Sequence, residues 1–549
     1  MEFIESWAEI GLLYLNNTRH FINDQCSGRE AWEIILATVL LINICHWLYQ
    51  QVFLHELSVF ERMKLSFFKI LRRLPVIGRK IQEELEKTKS AITKDMFPLP
   101  QGDIYNTHLP EQGIPKDELL NLVTTKYKSM EKIDWQGGRL SGAVYNCGAE
   151  HESLMERIYG IFVGDNLLHP DVFPGTRKME AEVVAMCCNF FHGGPEACGT
   201  MTSGGTESIL MACKAYREHA YKRGIKYPEI LAPCSGHAAF AKAAKYFKMR
   251  YVETPIDPTT KLINIPAMKR KISKNTCMLV VSAPSFPYGV VEQVEEVGKL
   301  GKHYNIPVHV DACMGGFIIP FAKRAGINLP PMDFRVEGVT SISADAHKYG
   351  LAPKGNSIVV YKNPEYRMGQ FYINTDWCGG IYASPAVGGT RSGAVIATCW
   401  ATMMYVGADG YQENAVKIIK TREYVEDCVR NIPGLTVQGK PDVNILSISS
   451  DTFDIYRLGA ALTNKGWHMF TVQYPAGVNF CVTKMHTLPG VAEGFVKDLE
   501  ECTADIMKDP NAKADGIAAI YGMAESIPDR SMVAEFVQGY LEAYYSTKL

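Results

Sequence analysis

The chain has 549 residues, 47% of them hydrophobic and 21% charged, which is long enough for a large core and more than one domain and unlike a disordered polymer. A formal net charge of -2, with no basic stripe interleaved with aromatics, supplies no field for nucleic-acid phosphates, so no nucleic-acid partner is expected. The 15 cysteines, an odd number without any C-x-x-C pair, fit buried thiols in a reducing compartment and point to neither a metal site nor a disulfide framework.

The first predicted element is IILATVLLINICHWLYQQVFL, residues 34–54, an uncharged run of the length that crosses a hydrocarbon core as a helix. Asn43, His46, Gln50 and Gln51 interrupt its second half, so a buried or interfacial helix is the alternative. Arg62, Lys64, Lys69, Arg72, Arg73, Arg79 and Lys80 follow it, whereas Arg19 and Arg29 precede it among several acids. That asymmetry places residues 1–33 in the lumen and the large C-terminal part in the cytosol. Asn16-Asn17-Thr18 is a glycosylation sequon on the predicted lumenal side. Without a basic n-region or small-residue cleavage site, the run reads as an uncleaved, single-pass anchor.

Residues 55–100 form a basic stalk whose FFKILRRLPVIGRK pattern suits either an anionic leaflet surface or a helical linker. Proline and glycine cluster at Phe97-Pro98-Leu99-Pro100-Gln101-Gly102, the expected boundary with the catalytic body. Residues 101–145 form an N-terminal segment of that body. Over 146–401, apolar β-rich runs such as Met278-Leu279-Val280-Val281, Pro307-Val308-His309-Val310 and Ile358-Val359-Val360-Tyr361 alternate with helical stretches. The alternation predicts an α/β domain with a mostly parallel, doubly wound sheet. Over 402–549 the order becomes helix, strand, strand, helix, which predicts a smaller α+β domain.

Four stretches carry chemistry, each where a strand ends or a helix begins. Ser203-Gly204-Gly205-Thr206-Glu207 opens a helical run, so its backbone N–H groups and hydroxyls suit an anion; a simple turn is the bland alternative, and the Gly-Lys-Ser/Thr ending of a P-loop is missing. His237 follows the strand-like Glu229-Ile230-Leu231-Ala232 and could stack on a ring, although a lone histidine is more often a structural hydrogen-bonder. Asp311 ends a strand, where a carboxylate can keep a pyridinium N–H protonated or merely cap a helix. Lys348, in Ser343-Ala344-Asp345-Ala346-His347-Lys348-Tyr349-Gly350, suits a Schiff base if its amine can deprotonate in a sheltered cationic site. Together, in this order, the four describe a pyridoxal 5′-phosphate (PLP) site.

With SGAVY, NLLHPDVFPG, MTSGGTES, HVDACMGGF, SADAHKYGLAPKG and GGTRSG, the sequence from about residue 94 onward resembles fold-type I PLP enzymes of the group II decarboxylase superfamily, and within it the sphingosine-1-phosphate lyases. The resemblance implies Lys348 as the Schiff-base lysine, Asp311 at the pyridine nitrogen, His237 on the ring, and Gly205, Thr206 and His347 at the cofactor phosphate. It further implies a homodimer with shared active sites, Gly389 and Thr390 reaching the partner's cofactor. Lys354, with Tyr145 and His169, would contact the phosphate of a sphingoid base 1-phosphate, and Tyr361 would stand near the reacting atoms. The implied reaction is retro-aldol cleavage to a fatty aldehyde and phosphoethanolamine, with Lys348 or Tyr361 as general base, on the endoplasmic reticulum membrane. The rival readings are a PLP-dependent amino-acid decarboxylase and a membrane-tethered scaffold without activity.

Overall fold

The computed structural model describes residues 103–512 and 530–547 without a break, residues 26–49 and 59–75, and scattered positions between 17 and 86. Asn16, residues 50–54 of the expected span and the expected boundary at 97–102 lie outside the described residues. The chain divides into two compact units, Met1–Ile81 and Gln82–Leu549.

In the first unit the apolar run forms the helix Ala31–Tyr49, with no buried residue. Its 19 residues span about 28 Å at 1.5 Å per residue, close to a hydrocarbon thickness. The polar interruptions are partly answered within the helix: Asn43 donates to the Val39 carbonyl at 2.8 Å and Thr38 to the Ile34 carbonyl at 2.8 Å. A polar side chain satisfied by its own helix costs less in hydrocarbon than an unsatisfied one. The helix Val59–Arg72 follows and exposes Phe60, Met63, Phe67 and Ile70 at helical spacing.

The second unit is built on a seven-stranded sheet of order β1-β7-β6-β5-β4-β2-β3. Its strands are β1 (Cys198–Thr202), β2 (Glu229–Pro233), β3 (Arg250–Thr254), β4 (Thr276–Ser282), β5 (Val308–Asp311), β6 (Val339–Ala344) and β7 (Ser357–Tyr361). Strands β3, β2, β4, β5 and β6 pair in parallel, while β7 runs antiparallel to both β6 and β1. β4, β5, β6 and β7 are buried along their whole length, so they read as continuous apolar or small runs in place of an alternating pattern. Two core clusters result, one centred on Val281, Val310 and Ile342 and another on Tyr216, Phe240 and Tyr361.

A hairpin of β8 (Tyr372–Asn374) and β9 (Tyr382–Ser384) precedes the helix Gly393–Asn431, which is broken at Gly407 (φ 62°, ψ 173°). The expected division at residues 401/402 falls inside that helix. After it come β10 (Thr436–Val437), β11 (Ile445–Ser449), β12 (Phe470–Val472) and β13 (Gly477–Cys481), an antiparallel sheet of order β10-β11-β13-β12. The stretch before the large sheet is tied to this small one: the buried Ser141 hydroxyl donates to the Asn479 carbonyl at 3.0 Å and accepts from the Cys481 N–H at 2.8 Å.

Candidate active site

Because β1, β2, β5 and β6 point the same way, the turns that follow them gather at one edge of the sheet, where α/β folds bind ligands. The glycine turn follows β1, His237 follows β2, Asp311 ends β5, and Lys348 lies just beyond β6. His237, Asp311, Lys348, Lys354 and Tyr145 line one cavity of about 270 Å³. Phe286, Cys313, Phe470 and Cys481 complete its apolar side. Cys313 lies in the HVDACMGGF stretch, where the pattern gives it no role; Phe286, Phe470 and Cys481 carry no motif, and the last two arrive from the small sheet, so local pattern reading missed them.

The cationic neighbour that would help the Lys348 amine deprotonate is outweighed by a carboxylate. The Lys348 ammonium is 2.9 Å from Asp345, a residue only 2% exposed whose role its residue type alone did not announce. Burial alone would lower the amine's pKa, but the Asp345 carboxylate outweighs it and raises the value, so the free lysine rests as an ammonium. Asp345 Oδ1 is buried and accepts no hydrogen bond from a described group. A Cβ on Gly205 would come within 2.7 Å of Asp345 Oδ2 and 2.9 Å of Cys313 Sγ, so glycine alone lets the turn close on this carboxylate. The turn opens the 18-residue helix Gly205–Lys222, whose first N–H groups and dipole favour an anion.

Asp311 Oδ1 accepts from the Cys313 N–H at 3.1 Å and the Ser343 hydroxyl at 3.4 Å. Ser343 also meets His309 Nε2 at 3.2 Å, and burial pushes that imidazole down to about 4 despite the Asp311 charge, leaving it neutral. His237 Nδ1 accepts from the Ala239 N–H at 3.1 Å, which fixes the ring's orientation. His347 Nδ1 accepts from the Asn356 N–H at 3.2 Å, and burial lowers its pKa. An amine, a strand-end carboxylate, an oriented imidazole, an open-backed glycine turn and an orphaned buried oxygen together fit PLP.

Lys354 donates to the Ala143 carbonyl at 2.7 Å and lies 4.8 Å from the centre of the Tyr145 ring. Desolvation, helped by the Lys348 charge, pushes it down to about 8. Ala143 (φ 57°) and Leu351 (φ 61°) both hold left-handed backbones without being glycine, strain of order 1–3 kcal/mol each that commonly marks functional loops. Burial raises the Tyr145 phenol, so it remains a hydrogen-bond donor.

Four expected site residues lie elsewhere. Tyr361 pairs with Ser341, the third residue of β6 and three positions before the end that leads to Lys348, so antiparallel β7 carries it away from that edge of the sheet. Its ring is fully buried and its hydroxyl donates to Gln370 Oε1 at 2.8 Å, which removes it from the reacting atoms. His169 is exposed on a loop whose Leu167 N–H donates to the Arg391 carbonyl at 3.0 Å, beside Gly389 and Thr390. Thr390 lines a separate cavity of about 610 Å³ with Ser203, Thr206 and Glu207 of the glycine turn.

Fold and site define a PLP-dependent enzyme of the decarboxylase type, and residues 134–447 match the pyridoxal-dependent decarboxylase conserved domain. The chain is 47% identical over 544 residues to sphingosine-1-phosphate lyase 1 of Rattus norvegicus, covering 99% of this chain and 95% of that protein. The solved structure of a Burkholderia pseudomallei sphingosine-1-phosphate lyase superposes with a TM-score of 0.75 at 35% identity, covering 82% of this chain and 99% of that one. A Lactobacillus brevis glutamate decarboxylase shares the fold, with a TM-score of 0.65 at 20% identity over 76% of this chain and 97% of that one. The chain belongs to the sphingosine-1-phosphate lyase family.

Proposed function

We propose that this chain cleaves the C2–C3 bond of a sphingoid base 1-phosphate, giving a long-chain aldehyde and phosphoethanolamine. The observation that carries this reading is one cavity holding both an amine suited to a carbonyl cofactor, Lys348, and a second cation placed for an anion, Lys354. Bound PLP supplies an electron sink for the pair released by the breaking bond. Lys348 would hold it, Asp311 its ring nitrogen, His237 its face, and Gly205, Thr206 and His347 its phosphate. The Lys354 ammonium and the Tyr145 hydroxyl receive the substrate phosphate and fix C1, which orients the bond between C2 and C3. Lys348 Nζ would act once its own proton has passed to Asp345 Oδ2, 2.9 Å away; the neutral amine then takes the C3 hydroxyl proton as that bond opens and returns it to C2. Tyr361, its hydroxyl engaged by Gln370, has no part in these transfers. The test is product analysis with the purified full chain, PLP and a sphingoid base 1-phosphate: aldehyde and phosphoethanolamine in equal amounts are expected. Carbon dioxide from an amino acid, with no aldehyde, would overturn the reading.

The helix Ala31–Tyr49 supports a single-pass membrane anchor, the basic run that follows it supports a lumenal N-terminus and a cytosolic site, and the resemblance supports the endoplasmic reticulum. An anchor suits a substrate and a product that both partition into bilayers. If the orientation is right, Asn16 carries a glycan in microsomes that a glycosidase removes and N16Q lacks; a reporter glycosylated only when fused after residue 549 would reverse it. A homodimer is supported by the joined His169 and Gly389–Thr390 segments, which stand apart from the Lys348 cavity of their own chain and would complete the partner's.

A further inference from the structure

Glu292 is a fully buried carboxylic acid that the reaction above does not use. It follows the loop between β4 and the helix Val294–Tyr304, a loop that turns back on itself through Ser285 N–H to the Val290 carbonyl at 2.9 Å and carries Pro284 and Phe286 into the cavity wall. One carboxyl oxygen accepts the Ser235 hydroxyl at 2.7 Å, two residues before His237. The other accepts the Ser282 N–H at 2.7 Å, at the end of β4. Ser282 is in register with Asp311, and the next residue, Ala283, donates its N–H to the Asp311 carbonyl at 2.8 Å.

We propose that Glu292 is a positioning residue for the cofactor ring: its carboxyl clasps the His237 loop to the strand ends that carry Asp311, fixing the spacing between the ring's face and its nitrogen. Every buried carboxyl needs hydrogen-bond partners, and the segments that supply them decide what it holds together. Glu292 takes its two from separate segments around one cavity, the loop that carries His237 and the end of β4. Burial pushes it up to about 7, although both hydrogen bonds oppose that rise, so the neutral acid is readily reached and a glutamine can imitate it. Among the described residues no cation pairs with Glu292, which fits a group that holds walls apart at a set distance without adding a strong field beside Asp311.

The proposal rests on the reading of His237 as the group against the ring, and its test separates the two. PLP affinity is measured on the apoenzyme by fluorescence titration, with the near-UV and visible circular dichroism of the bound cofactor and the melting temperature of the apo form. E292A is expected to weaken PLP binding about tenfold or more and to reduce the cofactor's dichroism. E292Q is expected to restore both, because its amide keeps an acceptor for Ser282 and a partner for Ser235. H237A should weaken PLP comparably, and H237A/E292A should weaken it little further, since the clasp acts through the loop that H237A has already disarmed. E292Q also keeps the proposal testable if E292A fails to fold. Additive losses in the double variant, or an E292A protein that binds PLP as the parent does, would overturn the clasp. If H237A alone leaves PLP affinity and dichroism unchanged, the reading of His237 falls and the clasp with it.

Discussion

Two lysines in one cavity are held in opposite electrostatic states. Lys348 is paired with a buried carboxylate and kept charged, whereas Lys354 is desolvated beside another cation and loosened from its proton. Lys348→Ala is expected to abolish turnover and the visible cofactor band while leaving the apo melting curve within a few degrees of the parent. Residual turnover above about one part in a thousand, checked by product analysis, would remove Lys348 from the chemistry. For Lys354 the sign follows from its lowered value: charged below about 8, it binds a phosphate there and lets go as pH rises through that point. KM should therefore climb above pH 8, by up to about tenfold per unit, with kcat little changed. Lys354→Ala should show a high KM without that limb, and Lys354→Arg should move the limb upward, both read from initial rates across pH 6.5–9.5.

At the scale of elements, direction decided what residue type could not. The run Ile358-Val359-Val360-Tyr361 is legible as a strand, and the structure makes it β7. Whether its last residue meets the site depends on which way the strand runs, and that is settled by pairing with β6 and β1, far away in the chain. Tyr361→Phe should accordingly leave kcat and KM within about twofold. It should lower stability by about 1–3 kcal/mol through the unsatisfied Gln370 oxygen, measured by denaturant titration. Residues following parallel strands were easier to read. Gly205, His237, Asp311 and Lys348 each sit at a strand-to-loop transition that periodicity marks, and their side chains need only be at the shared edge to meet. Asp345 lay in plain view, yet its ion pair with Lys348 depends on a turn whose shape the residue types do not dictate. Phe470 and Cys481 were out of reach, because the expected helix-strand-strand-helix order names no strand after the helix Ile455–Asn464, and β12 and β13 reach the cavity by tertiary packing alone.

For the molecule as a whole, the large sheet, its loops and the turn after β13 bury polar groups that titrate. His309 and His486 are both pushed by burial to about 4, below the 6.5 of an exposed imidazole. A histidine whose folded value is depressed contributes stability that is complete above pH 6.5 and is lost as pH falls toward 4. Glu292, pushed up to about 7, acts in the opposite sense and recovers stability over the range from 7 down to 4.5. Each of these shifts is worth about 3 kcal/mol, and burial also depresses His151 and His347, so stability is expected to fall between pH 7 and 4. Melting curves across that range should show it, with His309→Asn flattening the acid limb.

The Lys354 ammonium gives one N–H to the Ala143 carbonyl at 2.7 Å and another to the His347 carbonyl at 3.3 Å, which leaves its third donor for a ligand. Two donors are thus spent on aiming the charge, one of them on the strained backbone of residue 143. A phosphate oxygen taking the third makes a charge-assisted bond, about twice as strong as the one a neutral hydroxyl would make. Such a site would prefer a phosphorylated long-chain base to an unphosphorylated one without any group that repels the latter.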